Sequence, residues 1–183
     1  MSDAPSPAPG PKQLRSTDLK RLHRDWRRST DGRVALLLDN VQTPFNVGSI
    51  LRTAAAMRVD HVWLTGATAP ATHDRTRKTA LGADKYLTFT TLEDPAAAVR
   101  AAQAEGYRVV AIELAAGAVT LQEAELTDSV CLVLGHEDRG VHAATLAACD
   151  EVAFIPQLGR IGSLNVATAT AIALYEVRRR AWS

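Results

Sequence analysis

Asn46, Arg52, Glu137, Ser163 and Asn165 are the residues of this chain whose types and surroundings could do chemistry. The last two stand in Ile155-Pro156-Gln157-Leu158-Gly159-Arg160-Ile161-Gly162-Ser163-Leu164-Asn165. There a strand ends at a proline, a glycine-bearing loop follows, and a Ser-Leu-Asn turn opens an alanine-rich helix. Such a loop offers unpaired backbone N–H and C=O groups, and Ser163 and Asn165 add polar side chains at a helix N-terminus. Loops of this kind are where binding sites are built.

Arg52 stands in Thr43-Pro44-Phe45-Asn46-Val47-Gly48-Ser49-Ile50-Leu51-Arg52-Thr53-Ala54, after the apolar run Val34–Leu38. Pro44 ends an extended loop, Asn46 is expected as a helix N-cap, and Gly48 lets another group approach the first turn closely. Arg52 follows four residues later, on the same helix face. An arginine near a helix start, beside orphan N–H groups, suits a phosphate or another oxyanion. Taken alone, an arginine paired with a surface carboxylate is the simpler reading.

Glu137 stands in Leu132-Val133-Leu134-Gly135-His136-Glu137-Asp138-Arg139-Gly140-Val141. Val130–Leu134 reads as a buried strand, and Gly135 permits a turn at its carboxyl end, the edge that ligands favour in open α/β sheets. The plain roles of Glu137 are loop solvation or capping of a helix before Val141. His136, Glu137 and Asp138 do not make a metal site, because loop neighbours rarely converge on one ion without distant ligands.

Together the three segments resemble the motifs of the SpoU/TrmH family of SPOUT RNA methyltransferases: N-x-G-x-x-x-R, then G-x-E-x-x-G, then I-P…S-L-N-V ahead of an alanine-rich L-Y-E helix. The resemblance covers roughly residues 33–180. It implies methyl transfer from S-adenosylmethionine to a ribose 2′-OH of RNA, with Arg52, Asn46, Glu137, Ser163 and Asn165 as catalytic residues. In the family the arginine helps to activate the 2′-hydroxyl. Arginine is a strong base that holds its proton tightly, so stabilising a developing alkoxide or holding the adjoining phosphate stands beside general-base action. Asn165 is expected to orient Arg52 or the ribose. As isolated apolar residues Ile112, Ile155 and Leu164 would be core. The resemblance makes Ile112, Gly135, Ile155, Ser163 and Leu164 the cofactor-lining positions.

The resemblance further implies a C-terminal trefoil knot and a homodimer. For the partner contact the final helix offers Val166, Thr170, Ala173, Leu174 and Val177 at helical spacing; packing on the chain's own sheet is the alternative. Transfer RNA is the favoured substrate, because a compact member has little extra recognition surface; ribosomal RNA is the runner-up. From another class, a non-catalytic RNA-binding paralogue has no need of all five polar residues.

The elements that must position these residues alternate along the chain. Strands are expected at Val34–Leu38, His61–Leu64, Val109–Leu114, Val130–Leu134 and Glu151–Ile155. Helices are expected at 17–28, Asn46–Arg58, Pro95–Glu105, Val141–Ala148 and Ser163–Arg180. Short apolar strands between amphipathic helices predict an α/β fold with a mainly parallel sheet. The length of 183 residues suits one such domain. Residues 1–13 form a proline-rich tail expected to be disordered, residues 14–30 a basic helical segment, and residues 31–183 the methyltransferase domain.

The net charge of +1 hides an asymmetry: residues 1–28 carry seven basic and three acidic residues, leaving −3 on the remainder. A basic appendage on an acidic body points to a polyanion such as RNA, or to an ordinary solvated helix. The segment 72–85 adds Arg75, Arg77, Lys78 and Lys85, which suit RNA phosphates or a plain surface loop. The arginine run Arg178–Arg180 is read with the basic segment 12–28 as the remaining grip on RNA, since no further RNA-binding extension is visible. Cys131 and Cys149 lack C-x-x-C spacing and read as reduced thiols of a cytoplasmic protein. No stretch reaches the length of a membrane span, and no signal peptide is seen. Neither G-x-G-x-x-G nor G-x-x-x-x-G-K-[ST] occurs, which argues against dinucleotide binding and nucleotide hydrolysis.

Overall fold

The computed structural model describes residues 10, 12–126 and 128–182. The chain divides into two compact units, Met1–Asp31 and Gly32–Ser183. Of the expected proline-rich tail, only Gly10, Lys12 and Gln13 fall within the described residues. The first unit holds helix α1 (Ser16–Arg28), where the backbone N–H of Arg15 donates to the Asp18 carboxylate at 3.3 Å. Its apolar stripe, Leu19, Leu22 and Trp26, is exposed.

The second unit alternates strands and helices. In chain order they are β1 (Arg33–Asp39), α2 (Pro44–Ala56), β2 (His61–Thr65), α3 (Asp74–Ala80), β3 (Thr88–Leu92), α4 (Pro95–Ala104) and β4 (Arg108–Ile112). Then follow β5 (Val119–Thr120), β6 (Ser129–Leu134), α5 (Ala143–Ala148), β7 (Glu151–Phe154) and α6 (Val166–Ala181). A 3-10 turn, Ala83–Tyr86, joins α3 to β3.

The seven strands form one sheet in the order β3-β2-β1-β6-β4-β7-β5, and every pairing is parallel. Parallel strands covered on both faces must be apolar throughout, which is why Val34–Leu38 and Val130–Leu134 are unbroken apolar runs. Leu36 pairs in register with Val62 on one side and Leu132 on the other. One face, with Leu36, Leu38, Leu132 and Leu134, packs with Val47, Ile50 and Leu51 of α2 and with Leu174 and Val177 of α6. The other face, with Leu37, Trp63, Val109 and Val133, packs with Ala98, Val99 and Ala102 of α4. The strands β3 and β5 and the helix α3 carried no expectation from the sequence. β3 is a threonine-rich edge strand and β5 is two residues long, so neither shows an apolar run.

Two expectations about α6 are corrected. Thr170, Ala173 and Leu174 are wholly buried and Val166 and Val177 nearly so, and this face packs on the chain's own core rather than on a partner. The basic run at the helix end is largely structural. Arg178 is 2% exposed and donates to the carbonyls of Met57, Arg58 and Gly32. Arg180 donates to the carbonyls of Leu121, Gln122 and Ala124, and Arg179 pairs with Glu176 at 2.8 Å. These arginines satisfy carbonyls that would otherwise be left without donors at loop and helix ends.

The cysteines are both free. Cys131 is buried in β6, and burial pushes the Cys149 thiol up to about 12. No helix among the described residues is long and apolar enough to cross a membrane.

Candidate active site

Of the loops that leave the carboxyl edge of the sheet, those after β1, β4, β6 and β7 carry the expected site residues or their partners. Parts of the last three line one cavity of about 480 Å³. That volume lies within the range of small-molecule sites, roughly 300–1,000 Å³. Ile112, Gly135, Ile155, Ser163 and Leu164, the positions expected to hold a cofactor, all line it, and so does Glu137. Gly135 is required there by packing: a side chain would run into the backbone of Gly140 and Val141. The loop folds back over Gly135 because His136 and Gly140 exchange backbone hydrogen bonds of 2.9 and 3.0 Å.

Three of the expected polar residues form a single chain of hydrogen bonds. Asn165 is the N-cap of α6, its Oδ1 accepting from the backbone N–H of Ala167 at 2.9 Å and of Thr168 at 3.3 Å. With its oxygen committed, its Nδ2 donates to Asn46 Oδ1 at 3.0 Å. Asn46, 5% exposed, then turns its own Nδ2 to Glu137 Oε1 at 2.9 Å. Each amide orientation fixes the next, and a carboxylate, an acceptor only, must end the chain. Glu137 also accepts from the N–H groups of Gln42 and Thr43. Partial burial alone would raise its pKa. The hydrogen bonds from Asn46, from its own backbone and from Thr43 outweigh burial and hold it down at about 2.

Several local expectations change. Thr43, not Asn46, is the N-cap of α2, with Pro44 in the first turn, where its missing N–H costs nothing. Asn46 lies inside the helix, free to bridge Asn165 and Glu137. Gly48 does admit a close neighbour, which is the backbone of α3 at Thr76 and the side chain of Thr79. Asn165 holds Asn46, and no hydrogen bond links it to Arg52. Arg52 is exposed on α2 and has no hydrogen-bond or ion-pair partner among the described residues, so the surface-carboxylate reading fails. Ser163 lines the cavity and likewise has no hydrogen-bond partner among the described residues.

The structure adds two carboxylates that sequence reasoning passed over. Glu113, after β4, lines the cavity and accepts from the N–H of Leu114 at 3.0 Å and of Val141 at 2.9 Å. Asp39, wholly buried at the end of β1, accepts from His142 N at 3.1 Å and lies 2.9 Å from His142 Nδ1. Together they anchor the far end of the loop that carries Glu137. The only signal in the sequence was an acidic residue closing an apolar strand. Among the described residues, no group of three or more His, Cys, Asp and Glu side chains is placed to hold a metal ion.

A parallel sheet with an anchored, glycine-dependent cavity at its carboxyl edge has the form of an α/β domain whose cavity lies where open sheets of this kind bind ligands. Residues 33–175 match the SpoU rRNA Methylase family, and the chain belongs to that family. It is 36% identical over 156 residues to the 23S rRNA (guanosine(2553)-2′-O)-methyltransferase RlmP of Bacillus subtilis, covering 85% of this chain and 62% of that protein. It is 32% identical over 155 residues to the tRNA (guanosine(18)-2′-O)-methyltransferase of Escherichia coli, covering 84% of this chain and 66% of that protein. The AdoMet-bound rRNA methyltransferase from Sinorhizobium meliloti superposes with a TM-score of 0.77 at 32% identity, over 83% of this chain and 58% of that one. The chain thus spans roughly three fifths to two thirds of the length of the curated relatives it matches.

Proposed function

We propose that this protein transfers a methyl group from S-adenosylmethionine to a ribose 2′-OH of RNA, with tRNA as the favoured substrate and rRNA as the alternative. The observation that carries the reading is the Asn165–Asn46–Glu137 relay at the rim of a cavity lined by all five cofactor positions. The cavity suits this cofactor chemically. Ile112, Leu134, Ile155, Leu164 and Val166 offer apolar walls to a purine. Glu113, Glu137 and Asp138 set three carboxylates against the one guanidinium of Arg139 on its lining, a balance that favours a ligand carrying positive charge.

When bound, S-adenosylmethionine supplies an electrophilic methyl on a sulfonium. It would be held by Ile112, Gly135, Ile155, Ser163 and Leu164, and the ribose 2′-hydroxyl that accepts the methyl would give up its proton to solvent. The Arg52 guanidinium either stabilises negative charge growing on the oxygen or holds the adjoining phosphate in line. Asn46, Glu137 and Asn165 fix the floor against which the ribose is set, and Ser163 offers a free hydroxyl to it.

The reading includes a C-terminal trefoil knot, supported by β7 lying between β4 and β5 while α6 returns to pack on α2. It includes a homodimer acting on RNA in the cytoplasm. With the expected α6 face buried, the same helix still exposes apolar side chains at Ile172 and Tyr175 that suit a partner contact.

Calorimetry tests the cofactor. S-Adenosylmethionine or its demethylated product should stabilise the protein by about 2.7 kcal/mol at a hundredfold excess over Kd. NAD and ATP should not. Failure of both adenosyl compounds to bind at millimolar concentration overturns the reading.

A further inference from the structure

We propose that α3 and the 3-10 turn after it form an RNA platform on which Tyr86 stacks an unpaired base while Arg75, Arg77, Lys78 and Lys85 hold the flanking phosphates. This rests on the RNA reading above and narrows its substrate to RNA with a single-stranded or loop nucleotide near the target ribose.

The three tyrosines of the chain differ in their surroundings. Tyr107 is 5% exposed and packs edge-on against Trp63. Tyr175 is half-exposed and packs edge-on against Trp182. Tyr86 is 80% exposed and has no ring or hydrogen-bond partner among the described residues. Its neighbours explain how it is held out: Ala83 and Leu87, on either side, pack against the core. An aromatic ring with both faces open is the element on which nucleic-acid bases stack.

The cations around it are equally unoccupied. α3 turns Thr76 and Ala80 inward, which leaves Arg75, Arg77 and Lys78 exposed, and Lys85 is exposed in the turn. None of the four side chains has an ion-pair or hydrogen-bond partner among the described residues, whereas Arg100, Arg108, Arg179 and Arg180 are paired with carboxylates. Asp74 and Asp84 are the acids on this segment, so cations outnumber them two to one. Asp74 lies in the first turn of α3, where it offsets the helix dipole.

The platform also lies beside Arg52. α3 and the turn both pack on α2, and the backbone of α3 lies against Gly48. Arg52 is four residues further along α2, about 40° around the helix from Gly48. A strand held by the cations and clamped at Tyr86 is therefore delivered to the side of α2 that carries Arg52.

The test uses the full chain with a labelled RNA stem-loop and the same stem closed as a complete duplex, each titrated over a salt series. Tyr86→Ala should weaken stem-loop binding about tenfold, with Tyr86→Phe near wild type and duplex binding and salt slope unchanged. Arg77→Gln with Lys78→Gln should flatten the salt slope by about one to two. A Tyr86→Ala protein that binds the stem-loop like wild type while still methylating RNA overturns the platform and leaves the enzyme reading intact. Wild-type protein that neither binds nor methylates RNA removes both. If Tyr86→Ala changes the oligomeric state in light scattering without changing RNA binding, the ring is a protein contact and the platform is overturned.

Discussion

Asn46, Glu137 and Asn165 differ from Arg52 and Ser163 in what they are bonded to. The first three are committed: a helix N-terminus orients Asn165, Asn165 orients Asn46, and Asn46 orients Glu137, which also receives two backbone amides. The other two have no hydrogen-bond partner among the described residues. A polar group already satisfied inside the protein has little left to offer a substrate beyond a fixed position. A free, exposed guanidinium or hydroxyl keeps its hydrogen-bonding capacity for one. Under the proposed function, the contrast separates a preorganised floor from the groups that act on it.

The largest effect expected from this division is on turnover at Arg52. Arg52→Ala should lower the methyl-transfer rate by about two to three orders of magnitude, with thermal midpoint and S-adenosylmethionine affinity near wild type. Arg52→Lys should rescue poorly, because a point charge does not reproduce a planar fork. Near-wild-type turnover in either variant would break the contrast. The committed residues should behave in the opposite sense, losing stability together with activity. Asn46→Asp sets a second carboxylate against Glu137 and leaves Asn165 paired to it. It should cost about 1–3 kcal/mol, read as a lower thermal midpoint, and more than Glu137→Gln, which keeps an acceptor.

The pH dependence of stability sharpens the same point. Glu137 is held at about 2, below its usual 4.5, so the folded state binds this proton less readily than the unfolded one. Its stabilising contribution is therefore complete above pH 4.5 and lost as pH falls towards 2. The gap in thermal midpoint between wild type and Glu137→Gln should be widest at neutral pH and close in acid. A gap independent of pH would show that the carboxylate's charge is irrelevant. The smallest effect is expected at Ser163→Ala: no change in thermal midpoint and a loss of turnover well below that of Arg52→Ala.

Much of this arrangement was legible in the sequence, for different reasons in different places. The strands Val34–Leu38 and Val130–Leu134 announced themselves because a strand covered on both faces has no polar side to interrupt it. β3 did not, because its exposed threonines mark an edge and give no apolar run. The three motifs named Asn46, Glu137 and Asn165, but no local pattern shows that residues 119 apart in the chain share a hydrogen bond. Glu113 and Asp39 were invisible for a related reason: an isolated acid at a strand end looks solvated until the loop it anchors is in place. The same blindness misread Arg178, whose basic neighbours suggested a grip on RNA although its guanidinium is buried against three carbonyls. Patterns within one element were readable, and bonds between distant elements were not.

The central claim is tested most directly by supplying methyl-labelled S-adenosylmethionine and bulk RNA to the full chain and mapping the labelled nucleotide. The account predicts label on a ribose 2′-oxygen, recognised because the adjoining phosphodiester then resists alkaline cleavage, and loss of that label with Arg52→Ala. Label on a base, or no transfer by a protein that binds the cofactor, would contradict it.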